Sequence, residues 1–343
     1  MQRADYGIIF TPGRPPEEEG YPGFGYRTST ENGLYIERDV AVQMRDGAHI
    51  YIDIYRPADR QDTSLPAIIS WGPYGKHVTK RIYPNSGVRE EWISSYTPFE
   101  GPDPLYWCRH GYAIVVADPR GMWYSQGNYF HGDFVHEAPD LYDLIEWVAR
   151  QPWSNGKVGM SGVSYLARCQ WLVAALKPPH LAAINPWEGF VDMYRVMAYH
   201  GGIRETHFIS TAAKKTNLSL GLTEDIEQSA IAHPFYDAYW ERKMPPLEKI
   251  EVPAFVVASW SDHGLHSRGT LEGFKRIASK EKWLEVHGRK KWEYYYQPEN
   301  VEKLRQFFDY FLKGINNDWP KKPRVWLEVR ERYYEGSFRA EQE

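Results

Sequence analysis

Hydrophobic and polar positions change their spacing along the chain, and these changes predict the secondary structure. Between Leu34 and Tyr55 apolar and polar residues alternate on both sides of an Asp46–Gly47 turn, which predicts an antiparallel hairpin. Further on, almost wholly apolar runs are typical of parallel strands covered on both faces. Such runs occur at 67–71, 113–117 and 254–258, with helical spacing of apolar residues in between. The pattern predicts an α/β fold, a mostly parallel sheet with N-terminal antiparallel strands and flanking helices.

The same pattern divides the chain into segments. Residues 1–33 are rich in glycine, proline and glutamate, which predicts an irregular leader. Residues 190–247 interrupt the alternation without a convincing strand, so we expect a helical cap over the carboxyl ends of the strands, where such sheets bind ligands. The α/β domain then comprises residues 34–189 and 248–315. Residues 316–343 form a C-terminal β extension, either an edge strand of this sheet or the start of a further domain.

One predicted strand–turn–helix stretch carries the candidate chemistry. A short apolar strand with Val158 and Met160 leads through Gly162 and Ser164 into a run that favours a helix. Such a turn presents a serine hydroxyl at the end of the sheet, and Gly162 leaves room for the tight backbone. The final glycine of the G-x-S-x-G pattern is Leu166 here. The motif alone therefore fits both a catalytic nucleophile and an ordinary strand–helix turn.

A serine nucleophile needs a base, and the base needs an orienting acid. Asp262 follows one late strand and His287 ends the next, so both are expected at the same sheet edge as Ser164. His263 and His266 lie beside Asp262 but precede the last strand, and they are not expected to reach the position of the base. The sequence therefore predicts His287 as the base and Asp262 as the acid.

Aromatic residues supply candidates for the rest of the site. The backbone N–H of Tyr165, next to the serine, is a candidate oxyanion donor. Pro73 has no N–H, so the phenol of Tyr74 is the candidate for the second donor. The chain has 14 Trp and 25 Tyr, more than a core alone needs, which favours an apolar ligand pocket. Trp171 and Trp187 are predicted to contact an apolar substrate.

Composition narrows the classes of function. The formal net charge is −4 with both signs interspersed, which argues against nucleic-acid binding. No apolar run approaches membrane-spanning length, and the first residues lack the apolar core of a signal peptide. Cys108 and Cys169 stand far apart in apolar surroundings, so we expect two buried free thiols. We therefore expect a cytoplasmic protein without membrane partners. Neither a metal nor a cofactor is expected, and no H-E-x-x-H or comparable set of metal ligands occurs.

Five separate motifs resemble those of the CocE/NonD hydrolases, the group of cocaine esterase, α-amino-acid ester hydrolases and X-Pro dipeptidyl-peptidases of family S15. They lie at 38–47, 71–74, 118–127, 159–166, and 260–262 together with 286–288. The resemblance implies an α/β-hydrolase fold with a helical cap and a Ser164–His287–Asp262 triad. It also implies an oxyanion hole formed by the Tyr74 hydroxyl and the Tyr165 amide.

Two departures from the family pattern stand out. Ala167 occupies a position where the family usually has glycine. Family members usually carry a C-terminal jelly-roll domain, of which residues 316–343 would supply only the first strand. Apolar surface left by its absence would favour association of copies into a homo-oligomer.

Three hypotheses about function follow. The first is a serine hydrolase that cleaves ester or amide bonds of small acyl substrates through an acyl-enzyme. The second is an X-Pro dipeptidyl-peptidase, which needs a carboxylate to hold the α-ammonium group of a short peptide. Glu188 and Asp192 are the candidates for this carboxylate. Both also fit solvated charges at the base of the cap. The third is a non-catalytic binding protein that keeps the fold.

Overall fold

A large mixed sheet forms the centre of the computed structural model, which describes residues 6–60 and 64–341. Residues 1–5 of the predicted leader and 342–343 of the predicted extension lie outside the described residues. The strands are β1 (Phe10–Pro12), β2 (Arg27–Glu31), β3 (Leu34–Gln43), β4 (His49–Pro57), β5 (Leu65–Trp71), β6 (Ala113–Asp118), β7 (Ser154–Val163), β8 (Leu181–Trp187), β9 (Tyr199–His200), β10 (Ile203–Arg204), β11 (Leu222–Glu224), β12 (Ala254–Ser259), β13 (Lys282–His287), β14 (Val325–Arg332) and β15 (Glu335–Glu341). The helices are α1 (Pro104–Arg109), α2 (Phe134–Ala149), α3 (Tyr165–Ala174), α4 (Phe208–Lys215), α5 (Ile226–Ala232), α6 (Ala238–Glu241), α7 (Ser267–Arg276), α8 (Lys291–Tyr296) and α9 (Pro298–Lys313).

The strand order of the 11-stranded sheet is β2-β3-β4-β6-β5-β7-β8-β12-β13-β14-β15. From β6 through β14 every neighbouring pair is parallel, and the strands at both edges pair antiparallel. The predicted hairpin is β3–β4, whose turn contains Gly47 at φ 89°. The α/β class and the mostly parallel sheet with N-terminal antiparallel strands are therefore confirmed.

Successive side chains of the parallel strands enter two different cores. In β5, Ile69 and Trp71 pack with α2 and α3, whereas Ile68 packs with α1 and α9 on the other face. Each fully buried side chain of this size contributes about 1.5–3 kcal/mol. Cys169 lies in the first core and Cys108 in the second, and both are free buried thiols, as predicted.

The leader and the cap contain strands that the sequence pattern does not predict. In the leader, β2 joins the central sheet through a turn at Asn32 and Gly33, and β1 pairs with β11 in the cap. Strands β9 and β10 form a short hairpin inside the cap. These strands are short, two to five residues, and the cap strands and β1 pair outside the main sheet, so no local period marks them.

Residues after the last helix extend the central sheet. Strand β14 lies parallel to β13, with Val325 opposite Leu284, and β15 pairs antiparallel with β14. Of the two interpretations given above, the described part of the extension matches edge strands of this sheet. The carboxyl ends of β5, β7, β8, β12 and β13 meet at one edge, where the candidate site lies.

Candidate active site

Ser164 occupies a strained turn between β7 and α3. Its backbone has φ 61° and ψ −111°, a conformation that costs of order 1–3 kcal/mol outside glycine and is found mainly at functional sites. A Cβ on Gly162 would lie 2.5 Å from the Cβ of Leu166, so the turn needs glycine two residues before the serine. The residue that replaces the final glycine of the motif thus packs directly over Gly162.

The methyl group of Ala167, at a position where the family usually has glycine, fits against Gly189. A Cβ placed on Gly189 would approach the Ala167 Cβ to 2.7 Å, so the alanine methyl fills the space that Gly189 leaves open. The amides of Ala167 and Arg168 both donate to the Ser164 carbonyl, at 3.1 and 3.0 Å, which fixes the turn to the helix. The extra methyl is accommodated without disturbing the turn.

His266 is the histidine that contacts the serine. Its Nε2 lies 2.9 Å from the Ser164 Oγ, and its Nδ1 lies 2.6 Å from the Asp262 Oδ2. Because a carboxylate only accepts, Nδ1 carries the proton and Nε2 is free to accept the serine proton. The loop after β12 folds back so that the amides of His266 and Ser267 donate to the Asp262 carbonyl, which places the imidazole over the serine.

The prediction of His287 as the base is corrected by this geometry. His287 Nε2 lies 2.9 Å from Glu188 Oε1, and its Nδ1 accepts the Arg289 amide at 3.1 Å, so Nε2 donates to Glu188. Both side chains are fully buried, and Tyr294 stacks on the imidazole at 3.8 Å. Burial lowers the pKa of His287 to about 3 and raises the pKa of Glu188 well above its usual range. The two form an uncharged pair beneath the site, away from Ser164.

The charges around Asp262 and His266 suit proton transfer. Burial opposes a charged Asp262, but His266 and Lys291 outweigh it and hold the pKa of Asp262 well below its usual range. Burial, together with the Lys291 charge, lowers the pKa of His266, and Asp262 only partly offsets this. At neutral pH the pair is therefore carboxylate and neutral imidazole, the state in which a histidine accepts a proton.

Tyr74 and the start of α3 lie beside Ser164 at the cavity. The Tyr74 phenol interacts with both Ser164 and Glu100, and burial raises its pKa well above the usual value, so it keeps its proton. Tyr165 is the first residue of α3, whose opening amides have no partner within the helix. Its phenol is engaged elsewhere, donating to Glu137 at 2.8 Å.

These groups border a cavity of about 300 Å³ between the sheet edge and the cap. Ser164, Tyr74 and Tyr165 line it, and most of its remaining wall is apolar or aromatic. The other lining residues are Pro73, Tyr83, Phe99, Glu100, His131, Phe190, Met197, Phe208, Thr211, Ala212, Thr216, Leu265, Lys291 and Trp292. This volume lies at the lower end of the range for small-molecule sites.

The structure does not bring the four predicted substrate-binding residues to this cavity. Trp171 and Trp187 are fully buried in the two cores, because their large apolar rings complete the packing under the sheet. Glu188 pairs with His287, and Asp192 pairs with Arg195 at 2.7 Å on the cap. All four predictions are therefore corrected.

The sequence reasoning missed three polar residues of the site. His266 follows Asp262 by four residues, a spacing that brings the two side chains together in a helical turn, and this was its available signal. Glu100 accepts a hydrogen bond from the Trp292 indole at 2.9 Å, and burial raises its pKa to about 7. Lys291 begins α8, and no local pattern places either of these two at the cavity.

Replacing Tyr74 by phenylalanine is expected to lower kcat for ester hydrolysis by about 10²–10³-fold, the effect of losing one oxyanion donor. The ring would still pack against Phe99, whose centroid lies 5.0 Å away, so the fold should be unchanged. Steady-state kinetics on a p-nitrophenyl ester measure the effect, with the thermal midpoint as control. An unchanged kcat in a folded variant would remove Tyr74 from the oxyanion hole.

Comparison with known proteins identifies the family. Residues 46–224, more than half of the chain, match the family described as X-Pro dipeptidyl-peptidase (S15 family). The chain belongs to the S15 family. This S15 chain is also 32% identical over 167 residues to a cocaine esterase of Rhodococcus sp., covering 49% of the chain and 26% of that protein.

Solved structures agree with the S15 assignment. A CocE/NonD family hydrolase from Staphylococcus aureus is 41% identical, with a TM-score of 0.85, over 94% of this chain and 59% of that one. An α-amino acid ester hydrolase, at 16% identity and a TM-score of 0.68 over 93% of this chain and 60% of that one, shows likeness of fold. The S15 chain thus spans less than two thirds of the length of these relatives. The predicted CocE/NonD resemblance, α/β-hydrolase fold and serine-hydrolase family are confirmed.

Two further features concern the residues that the structure describes, 6–60 and 64–341. Within them, no group of three or more His, Cys, Asp or Glu side chains is placed to hold a metal ion. None of the helices in the described ranges is long and apolar enough to cross a membrane.

Proposed function

We propose that this chain is a serine hydrolase that cleaves esters of small acyl compounds through an acyl-enzyme. The observation that carries the proposal is the 2.9 Å contact between the Ser164 hydroxyl and His266, on a strained turn that faces a cavity. The S15 family and the hydrolases named among the similar proteins support it. The aromatic wall of the cavity supports an apolar or aromatic acyl group.

The proposed reaction follows from the positions of the protons. Ser164 passes its proton to His266 Nε2 as its oxygen attacks the substrate carbonyl, and Asp262 stabilises the imidazolium through Nδ1. The Tyr74 hydroxyl and the Tyr165 amide donate to the oxyanion of the tetrahedral intermediate. The imidazolium then gives its proton to the leaving alkoxide, which departs as an alcohol and leaves the acyl-enzyme. Water, deprotonated by His266, releases the acid and restores Ser164.

A dipeptidyl-peptidase is the second candidate, because the matching family carries that name. Such an enzyme needs a carboxylate near the serine to hold an α-ammonium group. Among the residues that line the described cavity the carboxylate is Glu100, and it already faces the charge of Lys291. A resident ammonium group beside this carboxylate favours uncharged acyl groups, and therefore the esterase.

The proposal predicts that p-nitrophenyl esters are hydrolysed faster than Ala-Pro-anilide, and that Ser164→Ala abolishes both activities and labelling by a fluorophosphonate probe. The nucleophile is lost while the buried turn remains, so the variant should fold. Ser161→Ala serves as control, because it removes a buried hydroxyl of β7 that bonds to Asn185 of β8 and to Tyr295. Faster turnover of Ala-Pro-anilide would favour the peptidase. Equal labelling of wild type and Ser164→Ala would exclude Ser164 as the nucleophile.

We also propose a cytoplasmic location, small-molecule substrates rather than nucleic-acid or membrane partners, and self-association of the chain. The interspersed charges and the two free thiols support the first two points. Large apolar side chains on the surface of the cap, such as Ile203 and Phe235, 76% and 77% exposed, support self-association.

A further inference from the structure

Lys291 lies against the acid of the proposed triad. Its Nζ is 3.3 Å from the Asp262 Oδ2, the same oxygen that accepts the hydrogen bond from His266 Nδ1 at 2.6 Å. The lysine side chain is 16% exposed and borders the cavity, and its Nζ lies 5.1 Å from the centre of the Trp292 ring. A cation and the imidazole thus share one carboxylate oxygen.

Carboxyl groups face Lys291 from three different parts of the fold. Asp262 comes from the loop after β12, Glu100 from the loop before α1, and Glu188 from the end of β8. Burial opposes the charge of the ammonium group, but the charge of Asp262, followed by that of Glu100, outweighs it and raises the pKa of Lys291. The lysine is therefore a cation at neutral pH, and the carboxylate of Asp262 lies against it.

His266 is faced by few groups that can change its protonation. Burial and Lys291 disfavour the imidazolium and Asp262 favours it, while Phe190 packs beside the ring, with its centroid at 5.9 Å, and carries no charge. Burial is the largest of these effects, and the cation that shares the Asp262 oxygen adds to it. A like charge near an imidazole favours its neutral form.

We propose that Lys291 is a positioning residue of the hydrolytic site, which holds Asp262 through the oxygen shared with His266 and keeps the imidazole in its proton-accepting form. The inference rests on the proposed function. This role differs from that of a substrate-anion site, because the ammonium group already lies 3.3 Å from the Asp262 carboxylate. Removing the cation would raise the pKa of His266. As the pH falls, the imidazole would then become protonated, and the site would lose activity, at a higher pH than in wild type.

The test compares wild type with Lys291→Met, Lys291→Arg and Lys290→Met. Lys290 is the matched control, because it precedes Lys291 and its Nζ donates to the Asn85 carbonyl, outside the triad. The titration of His266 is followed by NMR of ¹³C-labelled imidazoles, and its resonance is assigned by its loss in His266→Gln. We expect Lys291→Met to raise the pKa of His266 by about one unit or more, and the arginine variant to restore it.

Kinetics provide an independent readout. The acid limb of kcat/KM for a p-nitrophenyl ester should move to higher pH by the same amount in Lys291→Met and stay in place in Lys290→Met. A uniform loss of kcat without a shift, or an unchanged His266 titration in a folded Lys291→Met variant, would overturn the inference. Because the NMR titration needs no turnover, a shift in a protein without esterase activity would contradict the proposed function alone.

Discussion

Replacing His266 by glutamine is expected to lower kcat for a p-nitrophenyl ester by about 10⁴-fold or more, the range found when the base of a serine triad is removed. The glutamine amide can still bond to Asp262, but it cannot take the proton of Ser164. In the structure the Ser164 Oγ lies 2.9 Å from the His266 Nε2. KM should change little, since His266 does not line the cavity wall. Steady-state kinetics on purified, folded protein measure both constants.

His287→Gln is the matched comparison. This substitution breaks the buried pair with Glu188 and is expected to lower the free energy of unfolding by about 1–3 kcal/mol, because one buried polar group loses its partner. The folded fraction should keep a kcat within about tenfold of wild type, since no bond joins His287 to Ser164. A loss of about 10⁴-fold in His287→Gln with activity kept in His266→Gln would reverse the assignment.

Replacing Asp262 by asparagine is expected to lower kcat by about 10⁴-fold, although the two side chains have nearly the same size. The introduced side-chain amide would donate to His266 Nδ1, and the imidazole proton would then sit on Nε2, where Ser164 needs an acceptor. The substitution would also leave Lys291 without one of its three carboxyl neighbours. Kinetics at pH 8, where wild-type His266 is neutral, separate this effect from simple protonation.

Asp192→Asn is the control for this substitution. Asp192 pairs with Arg195 on the cap, at a partly exposed position outside the cavity, and such pairs contribute about 0–1 kcal/mol. The kcat of Asp192→Asn should match that of wild type. A similar loss in both variants would mean that Asp262 acts through the stability of the fold and not through His266.

Most of the fold is predictable from the sequence because buried parallel strands leave a clear signal. The apolar runs become β5, β6 and β12, covered on both faces as expected. Strands β1, β9, β10 and β11 could not be predicted, because two or three residues cannot show a period, and their pairing depends on distant chain.

The site is only partly predictable, for a related reason. Ser164, Asp262 and Tyr74 follow strand ends, so the order of the sheet brings them to one edge. His287 also ends a strand, but its side chain turns into the core, where Glu188 holds it. Which of two histidines reaches the serine depends on how the loop after β12 folds.

The high aromatic content is ambiguous in a similar way, because aromatic side chains occur both in cores and in ligand pockets. Trp171 and Trp187 complete the two cores, whereas Phe99 and Trp292 line the cavity. Large apolar rings suit both places, so composition indicates that a pocket exists without indicating which residues form it.

The proposed function depends on the activation of Ser164 by His266. The most direct measurement is the rate at which a fluorophosphonate modifies Ser164, read by mass spectrometry of the peptide that contains it, in wild type, His266→Gln and His287→Gln. We expect fast modification in wild type and His287→Gln, and a rate lowered by at least about 10³-fold in His266→Gln. Equal rates in wild type and His266→Gln, with the loss confined to His287→Gln, would contradict it.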